Sequence, residues 1–183
     1  MKKQSLNGKM DFRYALLILF WTFAISITLS VVFMSFYSMG MALAICLLLL
    51  FVAFGVAFDI LGLAVATCSE AAFHSMATRR VKGAKESLWL IRQRDKVSNF
   101  CNDVIGDITG IVSGTTAVMI AANLSRYVPI NEVVLQIGLT GIVSGLMVGG
   151  KALGKNVGIY RSKEIVTFAG KLMYWIGIKK EIK

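Results

Sequence analysis

Four carboxylates stand in or against the long apolar stretches of this chain: Asp59, Glu70, Asp103 and Asp107. An ionisable side chain at membrane depth is costly to hold there and by default marks a functional site. Asp103 and Asp107 are four residues apart, so they share a face where an apolar helix begins. Asn102 precedes them, and Thr109 and Ser113 extend a polar trail along the same segment. Carboxylate, amide and hydroxyl oxygens are the ligands a hard cation such as Mg2+ or Na+ requires. Glu70 enters from the end of the preceding apolar stretch, in "SEAAFHSMATRRVKGAK". Glu70, Asp103 and Asp107, supported by Asn102 and Thr109, are thus candidate ion ligands. A plainer reading stands beside this one. Acidic residues favour a helix N-terminus, and Glu70 can pair with Arg79 or Arg80. Asp59 precedes Glu70 by eleven residues, about 16 Å along an ideal helix, with no basic residue near it in sequence. It reads as a proton or sodium relay, or as half of a buried salt bridge to a distant residue.

Other chemistries find little support. The lone His74 reads as an interface residue. "GGKALGKN" approaches a phosphate-binding loop but ends in Asn and follows no strand. No Ser-His-Asp or paired-His set is visible, so the chain is not expected to be an enzyme. Cys46, Cys68 and Cys101 form no C-x-x-C pair and read as free thiols.

The elements that would hold these residues are apolar helices. Hydrophobic residues make up 56% of the 183 positions, above the range of soluble domains. Four stretches are long enough to span a bilayer: Tyr14 to Tyr37, Met41 to Thr67, Val104 to Leu124, and Val133 to Gly150. The first is too long for a signal peptide and has no cleavage site, so it is expected to be retained. The formal charge of +10 is distributed as in a membrane protein, and nucleic acid is not an expected partner. Lys2, Lys3, Lys9 and Arg13 precede the first stretch; Arg79 to Lys96 separate the second from the third; Lys151 and Lys155 follow the fourth. This alternation places both termini and residues 70–103 in the cytoplasm. Residues 70–103 carry an apolar stripe (Phe73, Met76, Leu88 and Ile91 among others) between basic residues. One or two amphipathic helices lying in the interface are predicted, with Gly83 as the break. Anionic lipid is the expected partner of that belt. A similar C-terminal helix is predicted over 157–178, anchored by Tyr174 and Trp175. "TGIVSG" occurs at 109–114 and again at 140–145; its Gly-x-x-x-Gly spacing predicts a close crossing of the third and fourth spans and a dimer contact.

Taken in order, these pieces resemble the transmembrane domain of the CorB/CorC and cyclin-M magnesium transporters, the DUF21 domain. That family's Ser-x-Ser-Glu-x-Ala motif is matched by Thr67, Ser69, Glu70 and Ala72. Its Asp-Arg pair is matched by Asp95 and Lys96, its Ile-Gly-Asn motif by Gly106 and Asp107 in "VIGD", and its last-span Lys by Lys151 in "GLMVGGKALGK". The resemblance implies Mg2+ export coupled to Na+ and makes Ser69, Glu70 and Asp107 ligand candidates. The chain departs from the family at Met147 and Gly150, where a Glu and a Pro are usual, and at Asp107, where Asn is usual. A divergent relative without the nucleotide-sensing CBS domains is expected.

The combined expectation is an all-α, four-span protein of a bacterial inner membrane, homodimeric, moving Mg2+ by alternating access. Residues 1–40 supply the N-terminus and an extra first helix, and 41–183 the DUF21-like domain. The rival expectations are a partner subunit that has lost the ion site and an anionic-lipid-binding membrane protein.

Overall fold

In the computed structural model, residues 12–37, 40–79 and 81–177 are described. Lys2, Lys3, Lys9 and Arg80 lie outside them. The described residues are helical throughout, without strands: α1 (Phe12–Tyr37), α2 (Met41–Thr67), α3 (Ala71–Thr78), α4 (Ala84–Arg92), α5 (Arg94–Asn99), a π-helical turn (Phe100–Ile105), α6 (Gly106–Leu124), α7 (Glu132–Tyr160) and α8 (Ser162–Trp175).

Among the described residues, three helical stretches are long and apolar enough to cross a membrane: Met41–Thr67, Arg94–Leu124 and Glu132–Tyr160. The first matches its predicted bounds. The other two are longer than predicted, because helices do not stop where hydropathy falls. α5, the π turn and α6 run on without interruption, and α7 continues past Gly150 to Tyr160, so Lys151 and Lys155 lie within a helix rather than after it. α1 contributes a shorter apolar stretch, Leu19–Val32. α7 starts sharply because the side chain of Asn131 accepts a hydrogen bond from the Val133 N–H at 2.9 Å. That satisfies one of the unpaired donors at the helix start.

α2 is the central helix, packed against both α6 and α7, which also pack on each other. One core lies at its first half, where Ala44, Leu48 and Val52 meet Ala117, Ile120 and Val143. A wholly apolar cleft of about 250 Å³ opens beside it, lined by Ile45, Leu49, Leu124 and Leu146 among others. A second core gathers at the other end. There Ala64, Val65 and Cys68 meet Phe73, Leu88, Leu90, Ile91 and Val166. The predicted amphipathic stripe of 70–103 is therefore turned onto α2 and α8, not left open along an interface. The break falls at Gly83, whose φ of +83° is a conformation that L side chains rarely adopt.

The glycines that bring helices together are not those of the "TGIVSG" echo. A Cβ at Gly114, Gly141 or Gly145 would meet nothing within 4 Å, and one at Gly110 would make ordinary contact with Met147. The close crossings use Gly150 against Val56, Gly154 against Ile60, and Gly158 against Ile60 and Leu63. These bind α7 to α2, not α7 to α6. The repeated hexapeptide fixes spacing along a helix but not which side of the helix meets a neighbour.

Candidate functional site

One register positions the polar residues of the bundle. On α2, Gly55, Asp59 and Gly62 are four and three residues apart and share a face. On the antiparallel partner, Asn102, Gly106 and Thr109 have the same spacing. A Cβ at Gly62 would collide with the Asn102 amide oxygen, and one at Gly55 with Thr109 Oγ1. Asp59 lies between these contacts, opposite Gly106.

The third side is closed by α7. Lys151 Nζ stands 3.1 Å from Asp59 Oδ1, each side chain about a quarter exposed (27% and 25%). Gly106 forms the floor. A Cβ there would lie 3.1 Å from Lys151 Nζ, 3.7 Å from the Cys101 carbonyl oxygen and 3.8 Å from Asp59 Oδ1. A Cβ there would crowd the Lys151 ammonium while making ordinary contact with the carboxylate. The pair thus joins α2 to α7 across a face of α6 that has no side chain.

The backbone beneath it is irregular. The Gly106 N–H donates to the Cys101 carbonyl, five residues back, closing the π turn Phe100–Ile105. Single π turns inside α-helices occur frequently at functional sites. Asn102 lies within this turn. Its Nδ2 donates to Ser98 Oγ at 3.4 Å, while its Oδ1 is buried with no hydrogen-bond partner among the described residues. An unsatisfied buried acceptor costs about 1–3 kcal/mol. Ser113 Oγ is the other such atom among the described residues.

The remaining expected ligands are spread apart. Thr109 is buried and its hydroxyl donates to the Gly106 carbonyl at 2.9 Å. Asp103 and Asp107 are exposed. They do share a face, but not the face of Thr109 and Ser113. Thr109 is two positions beyond Asp107, about 200° of helix rotation, so the polar trail divides into an outer acidic row and an inner row of amide and hydroxyls. Ser69 is exposed at the end of α2. Glu70 pairs with Arg92, Nε to Oε1 at 3.3 Å, and lies 3.9 Å from His74 Nε2. Its partner is thus 22 residues away on α4, not Arg79. Among the described residues, no three His, Cys, Asp or Glu side chains are grouped to hold a metal ion.

Beside Glu70, burial raises the Cys68 thiol above its ordinary value of 9.0, against weaker opposing effects from the Ser162 hydroxyl, the Ser69 backbone, Arg94 and Lys163. It is a packed thiol, not an activated one.

Of the site residues, Asp59 and Asn102 were visible as candidates, but the pairing of Asp59 with Lys151 was not. Their shared signal is small and polar residues at matched spacing on two helices, Gly55-Asp59-Gly62 and Asn102-Gly106-Thr109. No family model, curated protein or solved structure matches the chain, so the magnesium-transporter resemblance rests on the motifs quoted above and the functional reading on the geometry around Asp59.

Proposed function

We propose that this chain is a multi-pass membrane protein that moves a small cation across the bilayer by alternating access, with Asp59 as the ion-carrying carboxylate. The observation that supports this is a carboxylate held between three long apolar helices, opposite a lysine and one turn from an unsatisfied amide oxygen. Ionisable groups placed so are expensive and mark ion pathways in membrane proteins. Mg2+ is the first cargo to test, on the strength of the motif resemblance, and Na+ the second. In this reading α1 is a fourth span, both termini are cytoplasmic, and the basic segment α3–α5 faces anionic lipid on that side. A homodimer and the absence of enzyme activity belong to the same reading. Ser69 and Glu70 then lie at the cytoplasmic mouth, where they attract cations without enclosing one, while Asp103 and Asp107 stand on the outer face of the helix near the depth of Gly62 and Asp59.

The test is flux in proteoliposomes loaded with a Mg2+ or Na+ indicator. Wild type should carry at least one of the two ions above empty liposomes, and Asp59→Asn should lose that flux. Glu70→Gln should slow entry without abolishing it. Absence of flux for both ions in wild type would overturn the proposal.

One observation favours a second reading. Glu70 is already held by Arg92, and the outer acids Asp103 and Asp107 are dispersed on the surface. A non-transporting partner subunit would look like this, and it would show neither flux nor cation binding.

A further inference from the structure

We infer that Lys151 is the resident cation of the Asp59 site: its ammonium stands where a transported cation binds, and cation entry requires Lys151 to leave the carboxylate. The inference rests on the transport reading above and adds the device that couples the ion to helix movement.

Charge requires the exchange. One carboxylate and one ammonium at 3.1 Å sum to zero. A cation added without release of Lys151 would leave an uncompensated positive charge in a region of low dielectric, where such charges are severely penalised; Na+ in place of the ammonium keeps the sum at zero, whereas Mg2+ would still leave one positive charge. Once Lys151 withdraws, the oxygens left around the space are suited to a hard cation. The nearest is the Asp59 carboxylate; the Cys101 carbonyl oxygen, which accepts from the Gly106 N–H, lies near the Gly106 floor, and the partnerless Asn102 Oδ1 lies one turn along, against Gly62. Gly106 leaves that space open from the α6 side.

The exchange also changes which helices are held together. Asp59 belongs to α2 and Lys151 to α7. Their remaining close contacts are glycines, Gly150 on Val56, Gly154 on Ile60, and Gly158 on Leu63 and the Ile60 carbonyl. Those contacts are non-directional and permit sliding, whereas the ion pair fixes one register. Release of Lys151 therefore removes the directional link between α2 and α7 when the site fills. About a quarter of each side chain is exposed, so the ammonium has a route out through its flexible four-carbon stem.

The test uses the full chain in neutral detergent. Thermal unfolding is followed against NaCl and against MgCl2, with choline chloride holding ionic strength constant, for wild type, Lys151→Met and Asp59→Asn. A ligand that binds the folded state raises its stability. If Lys151 blocks the site most of the time, removing it should lower the half-saturating concentration about tenfold or more, and Asp59→Asn should abolish the response. A second measurement needs no variant. Lys151 in wild type is labelled with an amine-reactive acetylating reagent and quantified by mass spectrometry, and labelling should rise as the cation saturates.

The inference fails, with transport left standing, if Lys151→Met binds no tighter and Lys151 labelling is unchanged by the cation. It fails in the same way if Asp59→Asn still responds, because the cation then binds elsewhere. If neither salt shifts wild type or Lys151→Met and no flux is measured, the transport reading falls and takes the inference with it. Should Lys151→Met not fold, the labelling of wild type decides alone.

Discussion

Replacing Gly170 with alanine should detach α8 from α4, whereas the same change at Gly145 should be harmless. Gly170 lies where the two helices cross. A Cβ there would fall on Ser87 Oγ, 2.5 Å from the Gly83 carbonyl oxygen and 2.8 Å from the Ser87 backbone nitrogen. Two of these atoms are backbone and cannot rotate aside, so the helices must separate. Overpacking of this kind costs about 1–3 kcal/mol. Separation also breaks the buried hydrogen bond from Ser87 Oγ to the Val166 carbonyl, 3.0 Å long, and leaving both groups unpaired adds about 1–3 kcal/mol. Alanine returns up to about 1 kcal/mol as the better helix former. The net expectation is a loss of roughly 1–6 kcal/mol, localised to the α4–α8 contact. At Gly145 nothing lies within 4 Å, so only the helix preference acts and Gly145→Ala should be neutral or slightly stabilising. Hydrogen exchange read by mass spectrometry resolves the two: amides of α8 and α4 should lose protection in Gly170→Ala while those of α6 and α7 keep theirs. Unchanged α8 protection in Gly170→Ala, or a change at Gly145 as large as at Gly170, would refute the packing argument.

Removing one member of the Asp59–Lys151 pair should destabilise more than removing both. Asp59→Asn leaves an ammonium without its partner, at roughly 1–3 kcal/mol for a pair between the exposed and buried limits, and Asp59→Asn/Lys151→Met should recover part of that in denaturant unfolding. Glu70→Gln should change stability by less than about 1 kcal/mol, since its contact with Arg92 is more than a third exposed on both sides. Gly106→Val should reduce cation binding and stability together, as its side chain would be driven into Lys151 Nζ. Cys68 should alkylate slowly with a maleimide at neutral pH in the folded protein and readily once unfolded. Because its folded value lies above 9.0, the stability it contributes is complete below pH 9.0 and declines as pH rises beyond it.

The all-helical architecture and the bounds of α2 were legible because a long apolar run without proline has few alternatives to helix. The break at Gly83 was legible as well, since glycine among basic residues is where the chain can take a positive φ. Facing was less legible. The acids at 103 and 107 and the hydroxyls at 109 and 113 look like one trail when read by fours, but the step from 107 to 109 carries the chain to the opposite side. The partner of Asp59 was not legible at all. Lys151 lies 92 positions later, and its helix end had been placed at the last apolar residue. Nor does hydropathy reveal a π turn.

Several local costs coincide around Asp59. An ion pair that is only partly exposed contributes little net stability, and an apolar pair of similar size would commonly do better. Gly106 in the middle of a helix sacrifices up to about 1 kcal/mol against alanine. The π turn gives up regular helix geometry, and the Asn102 amide oxygen beside it is buried without a partner. Packing alone explains none of these, because α2 and α7 are already close-packed through Gly150 and Gly154, and α2 and α6 through Gly55 and Gly62. Chains tolerate departures from local rules where the departures serve a site. Four such departures meet at one crossing around one carboxylate, one of them joining α2 to α7 and three on the π turn and the start of α6, which is the arrangement the proposed ion site requires.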